Sequence, residues 1–346
     1  MATTTRSPRA PAPFLPPELI HDILFPTSRA TLLAASLVCR SWREPAQALL
    51  EARLSLPTSK VARAWLACPG RKARTRRLSL GAGLTIDECW AVFESTDGLE
   101  ELALLPDPAR ARAKFDLRAL QTPQLKNLRT LHLAAPFHDL APAVPWPLPF
   151  SLETLTCKGL YSSYPRAILA AIVASSRATL STLDLDCYGS NTSARAFISA
   201  FRPITGILRS MEIHGADRQV TPLLPFLSAC TALADFACWE ATLPLLSALP
   251  RSLETLSIGK TFFHSDPPYE DLLAQSALLD RAQGSRVARI RWGGISRATL
   301  RAQYGGADLL AECADKGIAV EFGVAAAATR YGAYGWPMSA GKAAWR

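Results

Sequence analysis

Acid–base, nucleophilic and metal chemistry all need particular side chains gathered at short spacing, and this chain shows few such gatherings. Its eight cysteines are Cys39, Cys68, Cys89, Cys157, Cys187, Cys230, Cys238 and Cys313. None forms Cys-x-x-Cys, and no histidine follows one at zinc-finger spacing. The five histidines, His21, His132, His138, His214 and His264, are dispersed. Gly-x-Ser-x-Gly, a phosphate-binding glycine loop and His-Glu-x-x-His are all missing. Asp184 and Asp186 could act as a carboxylate pair, but the alternation of a strand already explains their spacing. The residues therefore predict no catalytic group, no cofactor and no bound metal. Most cysteines lie in apolar contexts, which suits buried reduced thiols of a cytoplasmic or nuclear protein better than disulfides.

The elements that would position any site come next. The 346 residues are enough for one small and one large domain, and 49% hydrophobic residues imply a sizeable core. The longest apolar run, Ala167 to Ala174, is far below the ~20 residues of a membrane span. Residues 1–13 are rich in Thr, Pro, Ala and Arg and read as a disordered arm. The net charge of +9 comes mainly from arginine and permits acidic partners. Two arginine clusters stand out, Arg71 to Arg77 and the spread from Arg281 to Arg301. Neither is interleaved with aromatics or joined to a nucleic-acid motif, so nucleic-acid binding is not expected.

A degenerate Leu-x-x-Leu-x-Leu repeat runs through most of the chain. Clear copies begin at Leu99, Leu128, Leu180, Leu208 and Leu253, and weaker ones at Leu152, Leu233, Val287 and Gly317. Arg77-Leu78-Ser79-Leu80 is read as the first copy. The spacing, roughly 20 to 34 residues, suits leucine-rich repeats. On such strands the motif leucines point inward and the residues between them point out. That places Asp184, Asp186, Glu212, His214, Asp235 and Trp239 on the outer face of the central repeats, and Arg289, Arg291 and Glu321 on the last ones. An acidic middle beside a basic end is the expected surface for a charged protein substrate. Apolar spacing predicts return helices over 85–93, 164–178, 193–201 and 269–282. The Pro-rich returns 136–149 and 242–250 are expected to be extended or one-turn connections.

The segment from Phe14 to Trp42 has a different character. It opens Leu15-Pro16-Pro17-Glu18-Leu19-Ile20 and closes Leu37-Val38-Cys39-Arg40-Ser41-Trp42. Leu19, Ile20, Ile23 and Leu24 predict one face of a first helix. Leu33, Leu37 and Arg40, with Ser36 small between them, predict a second. A third helix is expected from Pro45 to Leu54. Three helices this short bury little area alone, which points to a partner.

On the Leu-Pro-x-Glu-Leu-Ile opening and the Val-Cys-Arg-x-Trp close, this segment resembles an F-box in the form common in basidiomycete fungi. One departure is a shorter stretch from Leu24 to Leu32, carrying Pro26. The resemblance extends loosely to the repeats, because many F-box receptors carry leucine-rich repeats. It implies an α/β chain: a disordered arm at 1–13, a three-helix F-box at 14–56 and a leucine-rich-repeat solenoid with a curved parallel sheet at 57–323. A low-complexity tail follows at 324–346. It further implies docking to a Skp-type adaptor, and through it a cullin, by Leu15, Pro16, Leu19, Ile20, Val38, Cys39 and Trp42. The chain would then be a non-catalytic substrate receptor of an SCF-type ubiquitin ligase. Two rivals are a repeat scaffold acting outside any ligase and a basic nucleic-acid-associated protein.

Overall fold

The computed structural model describes residues 15–25, 27, 29–68, 75–96, 98–107, 113–134, 137, 148–158, 166–186, 198–214, 220–238, 242–259, 284, 286–293, 296–302 and 306–322. The chain divides into two compact units, Met1–Leu54 and Ser55–Arg346.

The first unit contains α1 (Pro17–Leu24), α2 (Arg29–Val38) and α3 (Arg40–Ala52). Proline at the first helical position gives α1 its start at no hydrogen-bond cost. Its core is Ile20, Leu24, Leu32, Ala35, Ala46 and Leu49, with Trp42 and Leu50 packed against it. The third helix begins five residues before the expected Pro45, with Cys39 as its N-cap. Pro45 lies inside it as the sixth residue, where its missing N–H costs the helix one backbone hydrogen bond. Arg53 closes the unit. Its guanidinium lies 5.2 Å from the Phe25 ring centre, and Nη2 donates 2.9 Å to the Phe25 carbonyl.

The second unit is built on repeats. Strands β1 (Arg53–Leu56, whose first two residues belong to the first unit), β2 (Arg77–Gly81), β3 (Glu101–Leu105), β4 (Thr130–Leu133), β5 (Thr154–Cys157) and β6 (Thr182–Asp186) follow one another. Then come β7 (Ser210–His214), β8 (Asp235–Cys238), β9 (Thr255–Ile258), β10 (Arg289–Trp292) and β11 (Ala319–Phe322). The sheet order is the chain order, β1 to β11. Neighbours from β2 onward pair in parallel and in register, so Leu78, Leu102, Leu131, Leu155, Leu183, Met211, Phe236, Leu256, Ile290 and Val320 form one row. Each repeat motif of the sequence is a strand, and β1 carries no full motif. Leu99, Leu128, Leu152, Leu180, Leu208, Leu233 and Leu253, which open the motifs, are all buried and fill a second inner row.

Register is pinned at the entries of β3 to β10 by a shared acceptor. The Arg76 carbonyl takes the N–H groups of Glu100 and Glu101, and the Glu100 carbonyl takes those of Arg129 and Thr130. The same double acceptance recurs at Arg129, Glu153, Ser181, Arg209, Ala234 and Glu254. Gly81 ends β2 where chains crowd: a Cβ there would lie 2.0 Å from the Pro57 carbonyl oxygen. Gly81→Ala must displace backbone rather than a mobile side chain, and should cost about 1–3 kcal/mol, measured as a lowered urea midpoint.

Return segments follow the expectations in part. α5 (Ile86–Glu94) and α6 (Arg166–Ser175) occupy predicted helical stretches. The return at 242–250, expected to be extended or one-turn, holds a helix at Leu243–Ala248. Pro244 is tolerated there because it sits in the first turn. Most of 136–149 and all of 269–282 lie outside the described residues. The helix Ser59–Leu66, α4, was not foreseen. It is tied to α5 through Glu88, which completes a capping box with Thr85 and also accepts from Ser59 Oγ (2.7 Å) and Arg63 Nε (2.7 Å).

Burial acts to raise the Glu88 pKa, but the bonds from Thr85, Arg63 and Ser59 outweigh it and hold the carboxyl below its ordinary range. A depressed folded pKa gives stability above the unfolded value, about 4.3, that is lost as pH falls through the folded one. Glu88→Gln should cost about 1–2 kcal/mol at neutral pH, and the difference from wild type should shrink in melts run below pH ~4.

Candidate functional site

Two surfaces can meet other molecules, and each belongs to its own unit. On the N-terminal unit, α1 and α2 are apolar on more than the buried side. Leu19 (50% exposed) and Ile23 (49%) stand one turn apart on α1, and Leu15, just before the helix, is exposed as well. On α2, Leu33 and Leu37 repeat that spacing, and Leu37 at 80% and Val38 at 71% are nearly bare. Phe25 is also exposed. A helix apolar on two faces needs two partners, one of which is the unit's own core. Cys39 is exposed beside them. The hydrogen bond with Ser41 Oγ (3.0 Å) draws its thiol pKa below the ordinary value.

On the repeat unit, the sheet face opposite the leucines carries the row Ser79, Ala103, His132, Thr156, Asp184, Glu212, Ala237, Ser257, Arg291 and Glu321. Among the described residues, the ion pairs on this face form three groups. Glu101 receives Arg77 Nε (3.1 Å) and His132 Nε2 (3.4 Å). Asp184 Oδ1 lies 3.0 Å from Lys158 Nζ and 3.5 Å from His214 Nε2, which is 2.8 Å from Glu212 Oε1. Glu321 is clamped by Arg289 Nε (2.9 Å) and Arg291 Nε (2.8 Å). Burial pushes the Asp184 carboxyl up; Lys158 and His214 pull it back, Glu212 adds to the rise, and the net position is above the ordinary value. The Arg291 hydrogen bond holds Glu321 below its ordinary value.

Comparison with known proteins gives a match at the N-terminus, where residues 12–56 fit the F-box-like family. The chain carries an F-box-like domain. No curated protein matches the chain. Among solved structures, the leucine-rich repeat-containing protein LegL7 from Legionella pneumophila is similar at 13% identity, with a TM-score of 0.45, over 75% of this chain and 86% of its own.

Within the F-box, the residues expected to face an adaptor are divided by the structure. Leu15, Pro16, Leu19, Val38 and Cys39 are exposed. Ile20 is not available: it is 1% exposed in the core, because it projects from the side of α1 that faces α3. Trp42 is half-buried and packs on the same core. Ile23, Phe25, Leu33 and Leu37 are exposed apolar residues that were not assigned to the surface. Period alone could not separate the two faces, since Leu19 and Ile23 are as apolar as Ile20 and Leu24.

Among the repeat residues, Asp184, Glu212 and His214 come together, with Lys158 added from just beyond β5, where the motif ends. Asp235 is exposed in β8, while Arg289 and Arg291 meet on Glu321. Glu321 therefore offsets one of the two arginines at the basic end, and Lys158 one of the two carboxylates in the acidic middle. The side chain of Asp186 and all of Trp239 lie outside the described residues. Arg76 and Arg77, from the first arginine cluster, pair with Glu100 and Glu101. Among the described residues, no helix is long and apolar enough to cross a membrane.

Proposed function

We propose that this chain is a substrate-recognition subunit of an SCF-type ubiquitin ligase. The F-box-like domain with bare apolar side chains on α1 and α2 carries the reading. Leu15, Pro16, Leu19, Val38 and Cys39, joined by Ile23, Leu33 and Leu37, would seat a Skp-type adaptor, which links to a cullin. The sheet face of the repeats, with Asp184, Glu212, His214, Asp235, Arg289 and Arg291, would hold a protein substrate. The chain would make or break no bond itself. Its contribution is tethering, which raises the local concentration of substrate lysines at the ubiquitin-loading machinery. Such a receptor works in the cytoplasm or nucleus.

The test is co-purification of the tagged full chain with both adaptor and cullin. Recovery of the adaptor without the cullin would favour a scaffold outside the ligase, and recovery of neither would overturn the receptor reading.

A further inference from the structure

A separate observation, independent of the receptor reading, concerns the central sheet face. Asp184 of β6 and Glu212 of β7 are register partners, so the two acidic side chains rise from backbone positions one strand spacing, about 4.8 Å, apart. Their side chains are only 12% and 18% exposed, and that of His214 is 13% exposed. Carboxylates shielded side by side repel and call for positive charge between them. Lys158 supplies one such charge, on Asp184. His214, two residues beyond Glu212 on the same face, brings an imidazole nitrogen toward both acids. One donor atom from each of the three residues lies within 4.8 Å of the other two.

An imidazole and two carboxylates around one point are the donor set of a borderline divalent ion. Bonds of about 2.0–2.2 Å place tetrahedral donors about 3.4 Å apart. The His214 to Asp184 separation of 3.5 Å has that value. The His214 to Glu212 separation must open by about 0.6 Å to reach it, which rotation of the glutamate can supply. The two strands under the donors are hydrogen-bonded to each other, so the supporting frame is rigid. We propose that Asp184, Glu212 and His214 bind a divalent ion of the zinc class, leaving a fourth position for water or a donor from a docked partner. The ion would bridge two adjacent repeats, and Lys158 would compete with it for Asp184.

The experiment uses the full chain stripped with a chelator, then titrated with zinc against a chromogenic indicator, with cobalt absorption as a report on geometry. Wild type should take up one zinc that His214→Ala and Glu212→Gln each weaken at least tenfold. Lys158→Met should bind several-fold more tightly, because the competing ammonium is gone; a misfolded variant cannot give that gain. Circular dichroism checks each fold. Zinc uptake that is unchanged in His214→Ala and Glu212→Gln would place the metal on cysteines elsewhere and overturn the assignment. So would a folded wild type that binds none at micromolar free zinc.

Discussion

Replacing Leu19 and Leu37 with aspartate is expected to abolish adaptor binding while the F-box-like domain stays folded. Both side chains are at least half exposed, and neither belongs to the core of Ile20, Leu24, Leu32, Ala35, Ala46 and Leu49. Fully burying one leucine is worth about 1.5–3 kcal/mol, and a carboxylate forced into the same contact adds a desolvation cost. The double variant should therefore bind at least about a hundredfold more weakly, near 3 kcal/mol. Calorimetric titration of the full chain against a purified Skp-type adaptor reads the affinity, and circular dichroism reads the fold. Ile20→Ala is the contrasting case. It should lose about 2–5 kcal/mol of stability and lose binding only through unfolding. Retained affinity in a folded Leu19→Asp/Leu37→Asp protein would remove these faces from the interface.

The second large effect concerns the repeats. Phe236 is 1% exposed at the centre of β8, in register with Met211 on one side and Leu256 on the other. Phe236→Ala should cost about 3–5 kcal/mol, whereas Phe236→Leu, close to volume-conserving, should cost under about 1.5 kcal/mol. In an array where each strand meets only its neighbours, a weak central interface also divides the unfolding. Urea unfolding of Phe236→Ala should broaden or split into two transitions. A single sharp transition shifted by less than about 1 kcal/mol would show that the site repacks.

Much of this architecture could be read from the residues because the repeat states its own geometry. A leucine at every second position fixes which side of a strand is inside, so the rows through Leu183 and Phe236 and the opposite row through Asp184 and Glu212 followed from one rule. Returns were less legible. Pro244 reads as a breaker in a list of residues, yet a proline in a first helical turn is favourable, and only the start of the helix distinguishes the two. The F-box faces were ambiguous for the opposite reason: Leu19, Ile20, Ile23 and Leu24 are too uniformly apolar for their pattern to say which pair is inside. Lys158 was missed because it lies one residue past its strand, where the motif no longer speaks. The meeting of Asp184, Glu212 and His214 needs residues 30 apart in sequence to be neighbours, which the strand register of β6 and β7 supplies.

The sheet order that repeats the chain order has a consequence for how the protein is made. Each described strand finds its hydrogen-bonding edge on the strand just before it, so among the described strands no pairing waits for a segment far downstream. A nascent chain can add one repeat after another to a finished edge as it leaves the ribosome. The growing edge, rather than a completed core, is then the aggregation-prone feature at every stage. A pause in translation would leave a shorter but properly paired stack, and the sheet would always be open at its newest strand.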